Sequence, residues 1–215
     1  MIAGLLQTGS RPVRRVLDLG SGGGHVASHL SPGWEMTLVD LSPQMLEVSA
    51  SLNPDCEHLV GDMRTLRLNR RFDAVLVHDS IDYLVDEDEV SALAATVVAH
   101  LEPGGIALML PDHVKDFFEP GTDWGGSDSP DGRGARYLEW TWDPDPHDTW
   151  AQAEYSFVLR EVDGTVRAAH ESHRFGLFSQ TQWVGMLEDA GLSAVPVLEQ
   201  TEEDRPPRTL FVAQR

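Results

Sequence analysis

Residues 16–30 read VLDLGSGGGHVASHL. Val16, Leu17 and Leu19 make a short buried strand, Asp18 and a glycine loop end it, and His25, Val26, Ala27 and His29 open a helix. Glycine serves two ends there: the chain turns sharply out of a sheet, and a ligand can reach the backbone with no Cβ in its way. The stretch implies a nucleotide cofactor. A dinucleotide site asks for Gly-x-Gly-x-x-Gly, whose third glycine lets the helix close on the strand around a pyrophosphate. Gly20, Gly22, Gly23 and Gly24 occupy the first positions, but His25 stands in the slot of the third glycine.

Outward from the loop, Trp34 to Asp40 (WEMTLVD) reads as a second strand. It ends in a carboxylate about twenty residues on, where either cofactor class places a ribose-hydroxyl acceptor. Gly61-Asp62-Met63 then follows a third strand, Phe72 to His78 (FDAVLVH) is a fourth, and Leu101 to Met109 (LEPGGIALM) is a helix end, a turn and a fifth strand. In this order, across residues 13–112, the motifs resemble the class I S-adenosylmethionine-dependent methyltransferases, whose first motif is hydrophobic-hydrophobic-Asp-hydrophobic-Gly-x-Gly-x-Gly. The Leu-x-Pro-Gly-Gly turn before the fifth strand is typical of that family. An NAD-type dinucleotide protein is the alternative within the same fold, disfavoured by His25 and by that turn.

The regular alternation of strand and helix predicts an α/β fold with a doubly wound, Rossmann-like sheet, of seven strands in the family it resembles. Ser42 and Pro43 read as the N-cap and first position of a helix carrying Met45, Leu46 and Val48. A helix over 86–100 is acidic in its first turn, which suits the helix dipole. Between His113 and Asp148 the composition turns to proline, glycine, aspartate and tryptophan, so loops and turns are expected. Three strands are read there and beyond: 135–142, 149–160 and 165–175, the last two joined by the hairpin turn Asp163-Gly164. The expectation is a single domain over 1–215, with 113–176 a small antiparallel β insert after strand five that acts as a lid or substrate platform. A helix over 180–190, stopped by Gly191, and strands 195–198 and 209–213 complete the sheet. Most small-molecule members of the family carry a longer segment before strand one that folds over the cofactor; here either that lid comes from elsewhere in the chain or from a partner, or this start is shorter than the functional one.

The net charge of −19 argues against RNA or DNA as substrate, since phosphates call for clustered Lys and Arg. Arg64, Arg67, Arg70 and Arg71 lie close together and read as a solvated turn. No apolar run is long enough to cross a bilayer, and one cysteine, Cys56, forms no internal disulfide. A cytoplasmic protein acting on a small molecule is expected, with neither nucleic acid nor membrane as partner. A homodimer contact is another use of so polar an insert.

The resemblance implies S-adenosylmethionine as cofactor and S-adenosylhomocysteine as product. It places Asp18, Gly20, Ser21, Gly22 and Gly24 around the methionine and ribose, and Asp40 on the ribose hydroxyls in a charge-assisted contact. Leu41 and Met45 lie beside the adenosine, and Asp62 accepts from the adenine amino group with the Met63 backbone next to it. His78 offers its carbonyl to the cofactor's amino group, and Asp79 and Tyr83 line the mouth. For catalysis, His113, just past the tip of strand five, is the best placed base by sequence, because histidine titrates near neutrality; a loop histidine making one hydrogen bond is the plainer alternative. Trp124, Tyr137, Trp140 and His173 are candidates to contact the substrate, although the aromatic residues serve equally as the insert's own core. His78-Asp79 and Asp112-His113 invite a metal reading, but their context differs from that of catechol-type enzymes, and no metal is expected. The insert and the stretch HRFGLFSQTQWVGMLEDAGL are similar to amino-sugar N-methyltransferases and to glycine or sarcosine methyltransferases. Methyl transfer to nitrogen or oxygen of a small molecule is therefore expected, with a cofactor-binding protein lacking catalysis as the reading from another class.

Overall fold

The computed structural model describes residues 1–199 and 207–215. At its centre β1 (Arg15–Leu19) pairs in parallel with β2 (Glu35–Asp40) on one side and β4 (Phe72–His78) on the other. β3 (Glu57–Val60) extends the sheet beyond β2, and β5 (Leu101–Leu110) beyond β4. The antiparallel pair β10 (Ser193–Leu198) and β11 (Thr209–Gln214) completes seven strands in the order β10-β11-β5-β4-β1-β2-β3. The order reverses between β1 and β4, and in open α/β sheets the crevice at the carboxyl ends beside that switch is where ligands bind.

The central strands read as unbroken apolar runs because both faces of the sheet are covered. Leu17, Val75, Val77, Ala107 and Met109 face one core with α4 (Glu87–His100) and α5 (Gln180–Asp189), including Leu93, Val97, Trp183 and Leu187. Val16, Ala74, Leu76, Ile106 and Leu108 face the other, with Leu6 of α1 (Ile2–Leu6) and with Ala27 and Leu30 of α2 (His25–Leu30). Neighbours in sequence enter opposite cores, as the two-residue strand repeat requires.

The helix starts are satisfied chemically. Ser42 accepts from the Met45 amide at the head of α3 (Pro43–Leu52), and Asp86 accepts from the Glu89 amide at the head of α4, while Glu89 reaches back to the Val85 amide. Ser179 and Gln182 form a reciprocal capping box on α5. The Leu-x-Pro-Gly-Gly turn proves to be an irregularity inside β5. Leu101 pairs with Phe72, residues 102–105 loop out, and pairing resumes at Ile106 opposite Ala74.

After β5 the chain builds a separate antiparallel sheet of β6 (Gly121–Asp128), β7 (Gly134–Trp142), β8 (Trp150–Arg160) and β9 (Val166–Gly176). β6 corrects the sequence expectation, which left GTDWGGSD as loop. It is an edge strand, exposed at almost every position, and pairs with β7 through its backbone, so side-chain pattern carries no trace of it. The small sheet is tied to the large one at its root. The Thr149 hydroxyl donates to the Val85 carbonyl at 2.6 Å, the Leu177 amide to the Thr149 carbonyl at 2.7 Å, and Lys115 Nζ to the Asp148 carbonyl at 2.8 Å. Gly176 lies so near the Leu84 carbonyl that a Cβ there would come within 2.1 Å.

Candidate active site

The glycine loop is strapped to the next strand before any ligand is considered. The amides of Gly20 and Ser21 both donate to the Val39 carbonyl, at 2.7 and 2.9 Å. Gly20 and Gly24 lie at φ +74° and +76°, and a Cβ would stand 1.9 Å from Ser80 Oγ at the first and 2.3 Å from Ser49 Oγ at the second. Both conformation and space thus demand glycine. Asp40 finishes the loop: one carboxylate oxygen accepts from the Gly22 amide at 2.8 Å and the other from the Ser42 amide at 2.9 Å. Each oxygen keeps a lone pair for a further donor.

At the carboxyl ends of β1, β2, β4 and β5 lies a cleft of about 1170 Å³, roofed in part by the small sheet. Asp18, Gly20, Ser21, Gly22, Asp40, Met45, His78, Asp79 and Tyr83 all line it. Gly24 sits behind the loop as its hinge into α2. Asp18 is buried, and burial pushes its carboxyl up to about 7 even though His78 pulls the other way. The Ser21 hydroxyl is buried with no partner among the described residues. A lone buried carboxyl, an unmatched hydroxyl and a glycine wall suit a ligand that brings an ammonium and its own polar groups, as S-adenosylmethionine does.

Three expected cofactor residues lie apart from the cleft. Leu41 projects into solvent and Met63 packs against the core under α4. Asp62 is gripped by Arg64 through its amide at 2.8 Å, Nε at 3.0 Å and Nη2 at 2.7 Å, and Arg64 also contacts Glu89. That grip, led by the Arg64 side chain, holds the Asp62 carboxyl below its usual range.

The far half of the cleft comes from the short helical turn Ser80–Tyr83, the loop after β5, and the inner face of the small sheet. Asp82, buried, accepts from the amides of Asp112 at 2.9 Å and His113 at 3.4 Å, and so fixes the loop that carries His113. Burial, then the neighbouring Asp112, push its carboxyl well above the usual range. Asp112 itself meets Arg208 at 2.6 Å, and Arg208 lies 3.7 Å from Asp79. Asp79, at φ 51° and ψ −54°, holds a conformation rare outside glycine and sits 2.9 Å from His78 Nδ1. Burial alone would lower the His78 proton affinity, but Asp79, Asp112 and Asp18 outweigh it and raise it.

His113 packs edge-on to Phe118 at 5.5 Å and against Phe175 at 5.9 Å. Burial between these rings lowers its proton affinity, against the pull of Asp112 and Glu139, so its imidazole is neutral at physiological pH. Tyr83 contacts Phe175 at 5.4 Å, and its hydroxyl lies 3.3 Å from His173 Nδ1. His173 backs Tyr83, Tyr155 and Phe175 from behind the lining.

The remaining substrate candidates require correction. Trp124 and Trp140 point away from the cleft and are 73% and 54% exposed, Trp140 packing on Trp142 at 4.6 Å. Tyr137 is on the inner face but bonds Asp123 at 3.1 Å beyond the cleft's edge. The lining residues that sequence reasoning missed include Asp82, Phe118, Glu119, Glu139, Tyr155, Phe175 and Arg208. Alternation along β7 places Tyr137, Glu139 and Thr141 on one face, but which face meets the cleft has no signal in the strand itself. Among the described residues no cluster of three or more His, Cys, Asp or Glu could hold a metal ion, and no helix is long and apolar enough to cross a membrane.

Comparison with known proteins agrees with this fold. The model of a methyltransferase domain family matches residues 16–105. The dTDP-3-amino-3,6-dideoxy-alpha-D-glucopyranose N,N-dimethyltransferase of Streptomyces fradiae is 28% identical over 194 residues, covering 89% of this chain and 75% of the relative. The dTDP-3-amino-3,4,6-trideoxy-alpha-D-glucopyranose N,N-dimethyltransferase of Streptomyces venezuelae is 29% identical over 195 residues, covering 89% and 80%. Among solved structures, DesVI of Streptomyces venezuelae superposes with a TM-score of 0.86 at 27% identity, over 99% of this chain and 88% of that one.

Proposed function

Given that the chain belongs to the class I S-adenosylmethionine-dependent methyltransferases, we propose that it methylates the amino nitrogen of a small acceptor, with an amino sugar as the favoured class. The cofactor, S-adenosylmethionine, supplies a methyl carbon made electrophilic by its sulfonium. Asp18, Ser21, the Gly20–Gly22 backbone and the His78 carbonyl are the groups to hold its amino-acid end, and Asp40 its ribose hydroxyls. The alternatives that the sequence left open, a dinucleotide oxidoreductase and a binding protein without catalysis, give way to a methyltransferase domain with methyltransferase relatives.

The observation that carries the nitrogen reading is the charge of the far half of the cleft. In this half Asp79, Asp112, Glu119 and Glu139 meet His78, His113 and Arg208 as basic groups, with His25 on the glycine-loop side of the cleft and Asp82 buried behind the loop that it fixes. Such a wall favours a cation, and an alkylamine is protonated near neutral pH as the Lys side chain is. The amine reacts only after losing that proton. His113, neutral and held by the Asp82-fixed loop, is the base we assign to remove it. The small sheet is the lid over the acceptor, and the setting is cytoplasmic, where the one free cysteine stays reduced.

Titration with S-adenosylhomocysteine, with NAD as control, followed by methyl release across matched amine and hydroxyl acceptors, tests this reading. Binding of the first alone and transfer to amines support it. Transfer to the hydroxyl members only would overturn it.

A further inference from the structure

Glu139 of β7 and Tyr155 of β8 are directly opposed in register, point to the same face of the small sheet, and both line the cleft. The Tyr155 ring is set by neighbours on either side, stacked on Phe157 at 5.8 Å and edge-on to His173 at 5.3 Å. Tyr155 stands directly cross-strand from Glu139, and burial followed by that neighbouring charge pushes its phenol up, so it stays a neutral donor. Of the other carboxyls of this half, Glu119 is exposed to solvent and three are already engaged. Asp112 is on Arg208, Asp79 is on His78, and Asp82 accepts two backbone amides. Among the described residues no Arg, Lys or His forms an ion pair with Glu139, which is half-buried and near enough to His113 to act on its charge.

We infer that Glu139, steadied by the Tyr155 hydroxyl, is the anionic anchor that receives the acceptor's protonated amine. The inference rests on the amine reading above and deepens it by naming the residue that selects nitrogen over oxygen. The anchored ammonium gives its proton to the His113 imidazole, leaving a neutral amine and an imidazolium flanked by the Glu139 and Asp112 carboxylates; no other charge changes hands. A hydroxyl acceptor brings no charge for Glu139 to hold, and a neutral group buried against an unmatched carboxylate is disfavoured.

Glu139→Gln keeps the shape and removes the charge; Tyr155→Phe keeps the ring and removes the donor. In Glu139→Gln the KM of amines that the wild type methylates should rise about 10- to 100-fold, the range for loss of a charge-assisted hydrogen bond. Affinity for S-adenosylhomocysteine should stay at the wild-type value. Tyr155→Phe should raise KM by a few fold, roughly the effect of one neutral hydrogen bond. As a readout free of any acceptor, the His113 imidazole followed by NMR should titrate at lower pH in Glu139→Gln, because one of the two carboxylates favouring its cation is gone while Asp112 and Arg208 remain. An unchanged KM for amines, or an unchanged His113 titration, overturns the inference and leaves the methyltransferase reading intact. A wild-type enzyme that methylates hydroxyls and no amine overturns both the inference and the amine reading on which it rests.

Discussion

The two halves of the cleft are built by different means. The glycine-loop half is made of backbone: amides of Gly20, Ser21 and Gly22 are pinned by the Val39 carbonyl and Asp40, within one short run of sequence and the tip of the next strand. The far half is made of side chains from four separate places, with Asp82, His113, Glu139, Tyr155, Phe175 and Arg208 meeting only when the small sheet folds over the large one. A cofactor common to a whole family can be met by a fixed backbone, whereas an acceptor that differs from enzyme to enzyme is met by side chains that change without disturbing the fold.

That contrast can be broken by substitutions in each half. The largest effect is expected from His113→Ala, which should lower kcat about 10²- to 10⁴-fold, the range for loss of a general base, and leave S-adenosylhomocysteine affinity unchanged. A kcat within twofold of wild type would remove His113 as base. In the wild type, kcat/KM should fall on the acid side, because protonation of the imidazole removes the base. The limb should lie below that of free histidine, since burial lowers the His113 proton affinity. Next comes Gly24→Ala. Its Cβ would stand 2.3 Å from Ser49 Oγ and 2.5 Å from Asn53 Nδ2 at a φ of +76°, and the variant should lose about 2–4 kcal/mol of stability in urea unfolding. A smaller loss would show that the loop has more room than its contacts indicate. Asp40→Ala should weaken cofactor binding by about 1.5–3 kcal/mol, the range for charged hydrogen bonds. It also frees the Gly22 amide, so a fall in protein stability should accompany the loss. Smallest of all, Trp124→Ala and Trp140→Ala, on the outer face, should leave kcat/KM within about twofold of wild type. A large loss from either would return the outer face to the acceptor site.

The same contrast explains what could be read from the sequence. The strands of the large sheet were legible because two covered faces leave apolar runs, and the loop because consecutive glycines have few other uses. At Asp62 the motif position was legible, but not its partner: Arg64, two places on, reaches back and grips the carboxylate. The tryptophans misled. Trp140 and Glu139 are neighbours on one strand, and a strand sends neighbours to opposite faces, so choosing the aromatic residue as the likelier contact chose the wrong face. Arg208 immediately precedes β11, almost a hundred residues from Asp112, and nothing local announces their meeting.

Asp18 carries a consequence for the thermodynamics of cofactor capture. With its carboxyl raised to about 7, the free protein holds a proton there for a good part of the time near neutrality. A cationic amino group docking beside it favours the ionised form, so the proton is expelled to solvent as the ligand enters. Capture is then an ion exchange. Its affinity should climb with pH up to about 7 and level off, and the heat measured by calorimetry should differ between buffers of low and high ionisation enthalpy by the fraction of a proton released.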